Sequence, residues 1–307
     1  MANAAISPVS TALADVEDAE DAEALRALPC SLQAEAGPPV VYREYAPPAH
    51  LKALVVCTWT LDIRRGVQPH RQNILPDGCS DIIWMGDAPP IVVGPMTRPR
   101  LSEASEVTAI TGVRFRPEAA SAVLGVPANE LADRRVALDE LWSRHRHVVS
   151  AASEQLSERV TAAERVEVVQ SLIASRRNQA AAAAAPDPLV HYAISRLVGS
   201  PSQPDSVREL ARRAGISERQ LRRRFLTAAG YSPKMFHRIV RFQKLLALAK
   251  HQPTRPARLG DAAHIAGYAD QAHMTREVAE FAGVTPSALL GKVDSALALY
   301  DLLHTEG

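Results

Sequence analysis

Apolar and polar positions follow two different rhythms along this chain. Between residues 40 and 115 the apolar runs are short, β-branched and broken by Pro and Gly. Leu54 to Leu61, Asn73 to Leu75, Ser80 to Trp84, Ile91 to Gly94 and Val107 to Phe115 predict strands, with Pro76-Asp77-Gly78 as a tight turn between the second and third. Short strands at that spacing suggest a small barrel or sandwich. From Pro117 the period lengthens and predicts a helix over 117–124, Pro being a good first-turn residue, and a longer one over 148–175. On the longer helix Val148, Leu156, Val160, Val166, Val169, Leu172 and Ile173 make an irregular apolar face. That face suits contact with a second subunit, ahead of contact with its own barrel.

The last 120 residues contain a degenerate duplication. Ala211, Gly215 and Ile216 recur as Ala263, Gly267 and Tyr268 at an offset of 52. After one extra residue the offset becomes 53, with Leu221, Phe225, Gly230 and Pro233 matched by Met274, Val278, Gly283 and Pro286. Two units with one apolar and glycine skeleton are two copies of one supersecondary element. In the first copy Val207, Leu210, Ala211 and Ala214 share a helix face, Gly215 allows a sharp turn, Ile216 plugs the core and Ser217 caps a second helix. That second helix points Leu221 and Phe225 inward and Arg219, Arg222 and Arg223 outward, while Arg224 turns away from that face. A helix, a glycine turn and a capped cationic helix predict a helix-turn-helix, whose second helix enters the DNA major groove.

The second copy runs from Leu259 to Ala266, turns at Gly267 and caps its second helix with Asp270, leaving Gln271, Ala272, Thr275 and Arg276 outward. Gln can read adenine and Arg guanine in bidentate fashion, and Ala or Thr can meet a thymine methyl. Between the copies, Met235, Phe236, Ile239, Val240, Phe242, Leu245, Leu246 and Leu248 predict a long helix. From Pro233 to Lys250 it would span about 25 Å, compatible with holding two heads to successive major grooves about 34 Å apart.

Charge sharpens this picture. The overall net charge is only +1. Residues 1–40 nevertheless carry one Arg against seven acidic side chains, whereas 200–258 carry 14 Lys and Arg against Asp205, Glu209 and Glu218 alone, a local +11. A block that basic on predicted helices suits a polyanion partner. Within it, Arg238, Arg241 and Lys244 on the long helix are candidates for phosphate rather than base contact.

At 47% apolar residues the chain has no run approaching the 18–20 of a membrane span, and its acidic start lacks a signal-peptide pattern. Three unclustered cysteines, Cys30, Cys57 and Cys79, suit a reducing, cytoplasmic compartment. The divisions expected are a disordered acidic leader over 1–39, a β-rich then helical domain over 40–179, an Ala-rich linker over 180–186, a DNA-binding domain over 187–291 and a tail over 292–307.

Residues 187–291 resemble the AraC/XylS-type DNA-binding domain. The resemblance rests on Ala211-x-x-x-Gly215-Ile216-Ser217, Tyr231-Ser232-Pro233, and the stretch from Gly267-Tyr268-Ala269-Asp270-Gln271 to Gly283-Val284-Thr285-Pro286-Ser287. It implies DNA contact through Ser217, Arg219, Gln220, Arg222 and Arg223 in the first unit, and through Gln271, Ala272, Thr275 and Arg276 in the second. Val278, where the family usually has Phe, and His264, where a small or apolar residue is commoner, depart from the pattern. The N-terminal half resembles the sensor-like domains that precede this DNA-binding domain in other regulators, through Tyr42-Arg43-Glu44-Tyr45, Leu75 to Trp84, Val93 to Thr97 and Gly112 to Pro117.

The fold expected is therefore α+β and multidomain: a β-rich, cupin-like barrel with helices, then an all-α domain of two helix-turn-helix units joined by a long helix. The resemblance implies a transcription regulator, an activator sooner than a repressor. Its expected partners are double-stranded DNA and RNA polymerase, with a small-molecule effector in the front domain and a homodimer as further expectations. The competing readings are a constitutive DNA-binding protein whose front half only oligomerises and, third, an enzyme fused to a DNA-binding domain.

Catalytic chemistry finds little support. A metal cupin would need two or three His with a carboxylate on neighbouring strands, whereas His50 and His70 stand alone and His145 and His147 lie beyond the strands. No cofactor or metal is expected. Cys57 and Cys79 read as small hydrophobes, and Asp77 as turn chemistry. Trp59, Trp84, Tyr42 and Phe115 read as core, with one or two free to line an effector pocket.

Overall fold

The structure, a computed structural model, describes residues 40–63, 70–104, 109–159, 161–179, 185–199, 205–251 and 259–291. The acidic leader, most of the Ala-rich linker and the C-terminal tail lie outside the described residues. No helix among the described residues is long and apolar enough to cross a membrane.

The front half is built on an antiparallel sheet of six strands. These are β1 (Val40–Tyr45), β2 (Val55–Ile63), β4 (Ser80–Met85), β5 (Ile91–Val93), β7 (Ala109–Phe115) and β8 (Arg135–Ala137), in the order β1-β2-β7-β4-β5-β8. A separate ribbon pairs β3 (His70–Ile74) with β6 (Arg100–Ala104). The β-rich region expected from the short apolar runs is thus present, as an open ladder with β1 and β8 at its edges.

Residue alternation assigns the two faces of the sheet. Cys57, Trp59, Leu61 and Ile63 on β2 join Ile110 on β7 in one small apolar cluster. Trp59 lies across Gly112, where a Cβ would come within 2.3 Å of the indole, so only glycine admits the ring there. On the opposite face Ile82, Trp84, Val92, Val113 and Phe115 enter the main core of this half.

Four helices complete that core: α1 (Ala120–Leu124), α2 (Leu138–Leu141), α3 (Arg146–Glu158) and α4 (Ala162–Gln179). The single helix expected over 148–175 is therefore two. Arg159 is extended, and Thr161 opens α4, its hydroxyl accepting from the Glu164 N–H (3.3 Å) while the Glu164 carboxylate accepts from the Thr161 N–H (3.1 Å). This reciprocal cap restarts the chain in a new direction, so one period across both helices has no single apolar face.

Val166, Val169, Leu172 and Ile173 are buried against the chain's own sheet. Arg165 is buried beside them, donating from Nε to Thr111 Oγ1 (3.1 Å) and pairing with Asp62. A threonine- and aspartate-bearing strip of strand requires a polar partner on the covering helix, and that accounts for the irregular face. The apolar side of this segment serves the intramolecular core, not the subunit contact the sequence favours.

The back half is all helical: α5 (Pro188–Gly199), α6 (Val207–Arg213), α7 (Glu218–Ala229), α8 (Pro233–His251), α9 (Leu259–Ala266), α10 (Gln271–Ala282) and α11 (Pro286–Gly291). One core runs through it from Val190 to Leu289, with Phe225, Phe236, Phe242 and Phe281 among its fully buried rings.

The two halves are bonded directly. The Tyr231 hydroxyl donates to the Met96 carbonyl (2.9 Å), and Gln243 Nε2 donates to the Pro76 carbonyl (2.6 Å), both buried. His191 Nδ1 lies 2.8 Å from Glu118 Oε1. Gly230, at φ +78°, closes α7 where a Cβ would fall 2.4 Å from Pro95 Cγ and 3.0 Å from the Ala128 carbonyl. Burial, reinforced by nearby Asp77, holds the Tyr231 hydroxyl well above the ordinary tyrosine range, so it stays a donor.

Candidate nucleic-acid interface

The duplication reappears bond for bond in the backbone. Ile216 N–H donates to the Ala211 carbonyl (3.0 Å), and Tyr268 N–H to the Ala263 carbonyl (2.8 Å), at the offset of 52. Gly215 and Gly267 both take positive φ, +65° and +90°, to make the turn. From the caps onward the offset is 53. Ser217 accepts from the Gln220 N–H and Asp270 from the His273 N–H, and Gly230 and Gly283 close the second helices through the Leu226 and Ala279 carbonyls. Ala269 is the residue that shifts the register.

Both units therefore place a capped helix on the core by the same means. Leu221 and Phe225 bury α7, and Met274, Val278 and Phe281 bury α10. Val278, where Phe is usual, is fully buried in the helical core. His264 points to solvent, which explains why a polar side chain is accepted at that position.

On α7, Arg219, Arg222 and Arg223 are exposed on one face, as their spacing predicts. Arg222 is steered by Glu218 (2.8 Å), an exposed pair that holds the side chain along the helix. Ser217 and Gln220 form a capping box: the Gln220 side-chain oxygen Oε1 accepts from the Ser217 N–H (2.9 Å) and hydroxyl (2.9 Å). Much of their hydrogen-bonding capacity goes to starting the helix. Arg224 turns back, as expected, and makes a two-pronged pair with Asp187 (2.6 and 2.7 Å), itself the cap of α5.

On α10, Gln271, Ala272, Thr275 and Arg276 are all exposed and near one another. The Thr275 hydroxyl donates to the Gln271 carbonyl (2.8 Å), so its proton is engaged within the helix.

Two cations of α8 that sequence offers for phosphate, Arg238 and Arg241, are paired with carboxylates of α10. Arg238 Nε donates to Glu277 Oε1 (2.7 Å), its outer nitrogen pairs with Glu280, and its guanidinium lies 5.0 Å from the Phe281 ring centre. Arg241 donates to the same Glu277 oxygen (2.8 Å) and lies 5.2 Å from the Tyr268 ring centre. Lys244 is half-buried, and that burial pushes its ammonium below the ordinary lysine range.

Two residues enter that the recognition-helix pattern passed over. Glu277 is 4% exposed and faces α8. Its signal was legible, for the helical period places it on the Met274, Val278 and Phe281 face, where a carboxylate needs a partner. Leu226, 41% exposed, lies seven residues after Arg219 and four after Arg222, in the middle of the arginine face.

Electrostatically the first unit is the more cationic. Beside its recognition helix Arg212 and Arg213 both donate to Glu209 and hold that carboxylate down to about 2.

Comparison with known proteins matches two stretches of the chain. Residues 43–137 match a domain of unknown function, DUF6597, and residues 210–292 match a helix-turn-helix domain. No curated protein matches the chain in sequence. Among solved structures it is similar to ToxT from Vibrio cholerae O395 at 13% identity, covering 78% of this chain and 98% of that one, with a TM-score of 0.42. It is also similar to unsaturated-fatty-acid-bound wild-type ToxT from Vibrio cholerae strain SCE256 at 12% identity, covering 84% and 96%, with a TM-score of 0.39. The chain thus carries a helix-turn-helix domain over residues 210–292, and residues 43–137 before it are a domain of unknown function.

Proposed function

We propose that this protein is a sequence-specific transcription regulator that reads duplex DNA with both helix-turn-helix units, one recognition helix to each of two successive major grooves. The observation that carries the reading is the repetition of the turn and cap hydrogen bonds at offsets of 52 and 53, with an exposed polar face on each second helix. Arg219, Arg222 and Arg223 supply base or phosphate contact in the first groove, and Gln271, Ala272, Thr275 and Arg276 read the second. Leu226 suits a thymine methyl beside the arginines.

The front domain supplies regulation in this reading. Residues 40–179 bind a small-molecule effector or a second copy, and the bonds from Met96 and Pro76 to Tyr231 and Gln243 pass the change to the DNA-binding half. The AraC likeness favours an activator that works with RNA polymerase.

Selection from a random duplex library with the full-length protein at about 0.15 M salt tests the reading. Two enriched blocks about one helical turn apart are expected. A single block would remove the second unit from base reading, and no enrichment with either the full chain or residues 187–307 would overturn DNA recognition. A ligand that raises the melting temperature of the full chain would identify the effector by mass action.

A further inference from the structure

The cluster around Glu277 sits between the central helix and the second recognition helix, away from either exposed reading face. Glu277 Oε1 accepts from Arg238 Nε at 2.7 Å and Arg241 at 2.8 Å, and His273 Nε2 lies 3.3 Å from it. The arginine side chains are only 22% and 13% exposed. Glu277 Oε2 and Arg241 Nε are buried with no hydrogen-bond partner among the described residues. A half-satisfied ionic cluster in a largely buried contact is a costly way to add stability, since apolar side chains of similar volume would serve as well. What it supplies is direction. The apolar part of the same contact, with Phe242 and Phe281 ring centres 5.3 Å apart, tolerates sliding and rotation. A charge-assisted bond at 2.7–2.8 Å does not.

We infer that Glu277, held by Arg238 and Arg241, is a positioning residue that fixes the rotation of α10 on α8 and thereby aims Thr275 and Arg276 at the second half-site. This inference rests on the two-headed DNA-binding reading above. Glu277 is the next residue after Arg276, so a turn of α10 about its axis moves both side chains together. With Glu277 and Glu280 neutralising Arg238 and Arg241, these two arginines release no phosphate counterions and contribute little to salt dependence.

The test uses full-length protein and the duplex recovered by selection, comparing Glu277→Gln with wild type. The variant is expected to hold the first block within about twofold and to lose about tenfold in discrimination at the second, the scale of one misread base pair. Retained first-block binding reports a folded protein. Undiminished preference at the second block would overturn the inference. So would a rise in affinity for every sequence with a salt slope steeper by about one or two, because the freed arginines would then be phosphate ligands.

If Glu277→Gln does not fold, Arg238→Lys and Arg241→Lys, which keep charge but lose the planar fork, are read in the same way. Failure of wild type to enrich any sequence would remove the DNA-binding reading and this inference with it. Wild-type enrichment beside an indifferent variant removes this inference alone.

Discussion

Arg222 and Arg276 occupy comparable places, exposed on the outer faces of α7 and α10, and differ in how firmly they are held. Arg222 is guided by Glu218 along its own helix, whereas Arg276 depends on how α10 is seated. Replacing either with Ala should relax base preference at one half-site by roughly 1–3 kcal/mol, checked by competition binding against single-base variants of the selected duplex. Equal weakening on all sequences would reassign the residue to phosphate.

In the front half, Asp81 accepts from Arg114 Nε and an outer guanidinium nitrogen (both 3.0 Å) and from the Trp59 indole (3.3 Å). Burial pushes its carboxyl above the ordinary aspartate range, and Arg114 pulls against that. Asp81→Asn should cost about 3 kcal/mol in urea unfolding, since it removes the carboxylate charge that two bonds from a buried guanidinium engage, with Asp77 at 3.3 Å remaining beside it. Asp77 thus serves two purposes, the turn bond to the Cys79 N–H (2.9 Å) and this pair, of which sequence suggested only the turn.

At the scale of elements, local chemistry made the helix-turn-helix units legible. Gly215, Gly230 and their counterparts take a positive φ that few other residues adopt, and Ser217 and Asp270 supply the side-chain caps. The 148–175 segment was not legible as two helices, because Thr161 and Glu164 cap α4 within a stretch whose composition stays helical throughout. The pairing of Arg238 and Arg241 with Glu277 and Glu280 was hidden for a similar reason. A period analysis counts charges on a face without seeing that another helix brings carboxylates to it.

In the first unit, Ser206 caps α6 through the Glu209 N–H, and the Glu209 carboxylate gathers Arg212 and Arg213. Its carboxyl is held at about 2, below its ordinary 4.5. The depressed value means that this contribution to stability is full above the ordinary value and fades as pH falls towards about 2. The melting-temperature advantage of wild type over Glu209→Gln should therefore shrink across that window. It should also be small at high salt, because the group is exposed.

Across the whole molecule, the sheet domain and the first reading head share a bonded seam. Tyr231→Phe removes the donor to the Met96 carbonyl and leaves that buried oxygen unmatched, a loss of about 1–3 kcal/mol. Combined with Gln243→Ala, it should split a single thermal transition into two, one for each half, in differential scanning calorimetry. A single transition at the wild-type temperature would mean the seam contributes nothing. This seam was hidden in the sequence, since Tyr231 and Gln243 find their partners 135 and 167 residues away along the chain.

The close fit at Gly230 bears on how such proteins can be recombined. A chimera that grafts a foreign reading head onto this front half inherits whatever residue that head carries at the end of its first recognition helix. Any side chain there would collide with Pro95 and the Ala128 carbonyl. The exchangeable unit is therefore not the helical domain cut at its linker, but that domain together with the few front-half residues moulded around one missing Cβ.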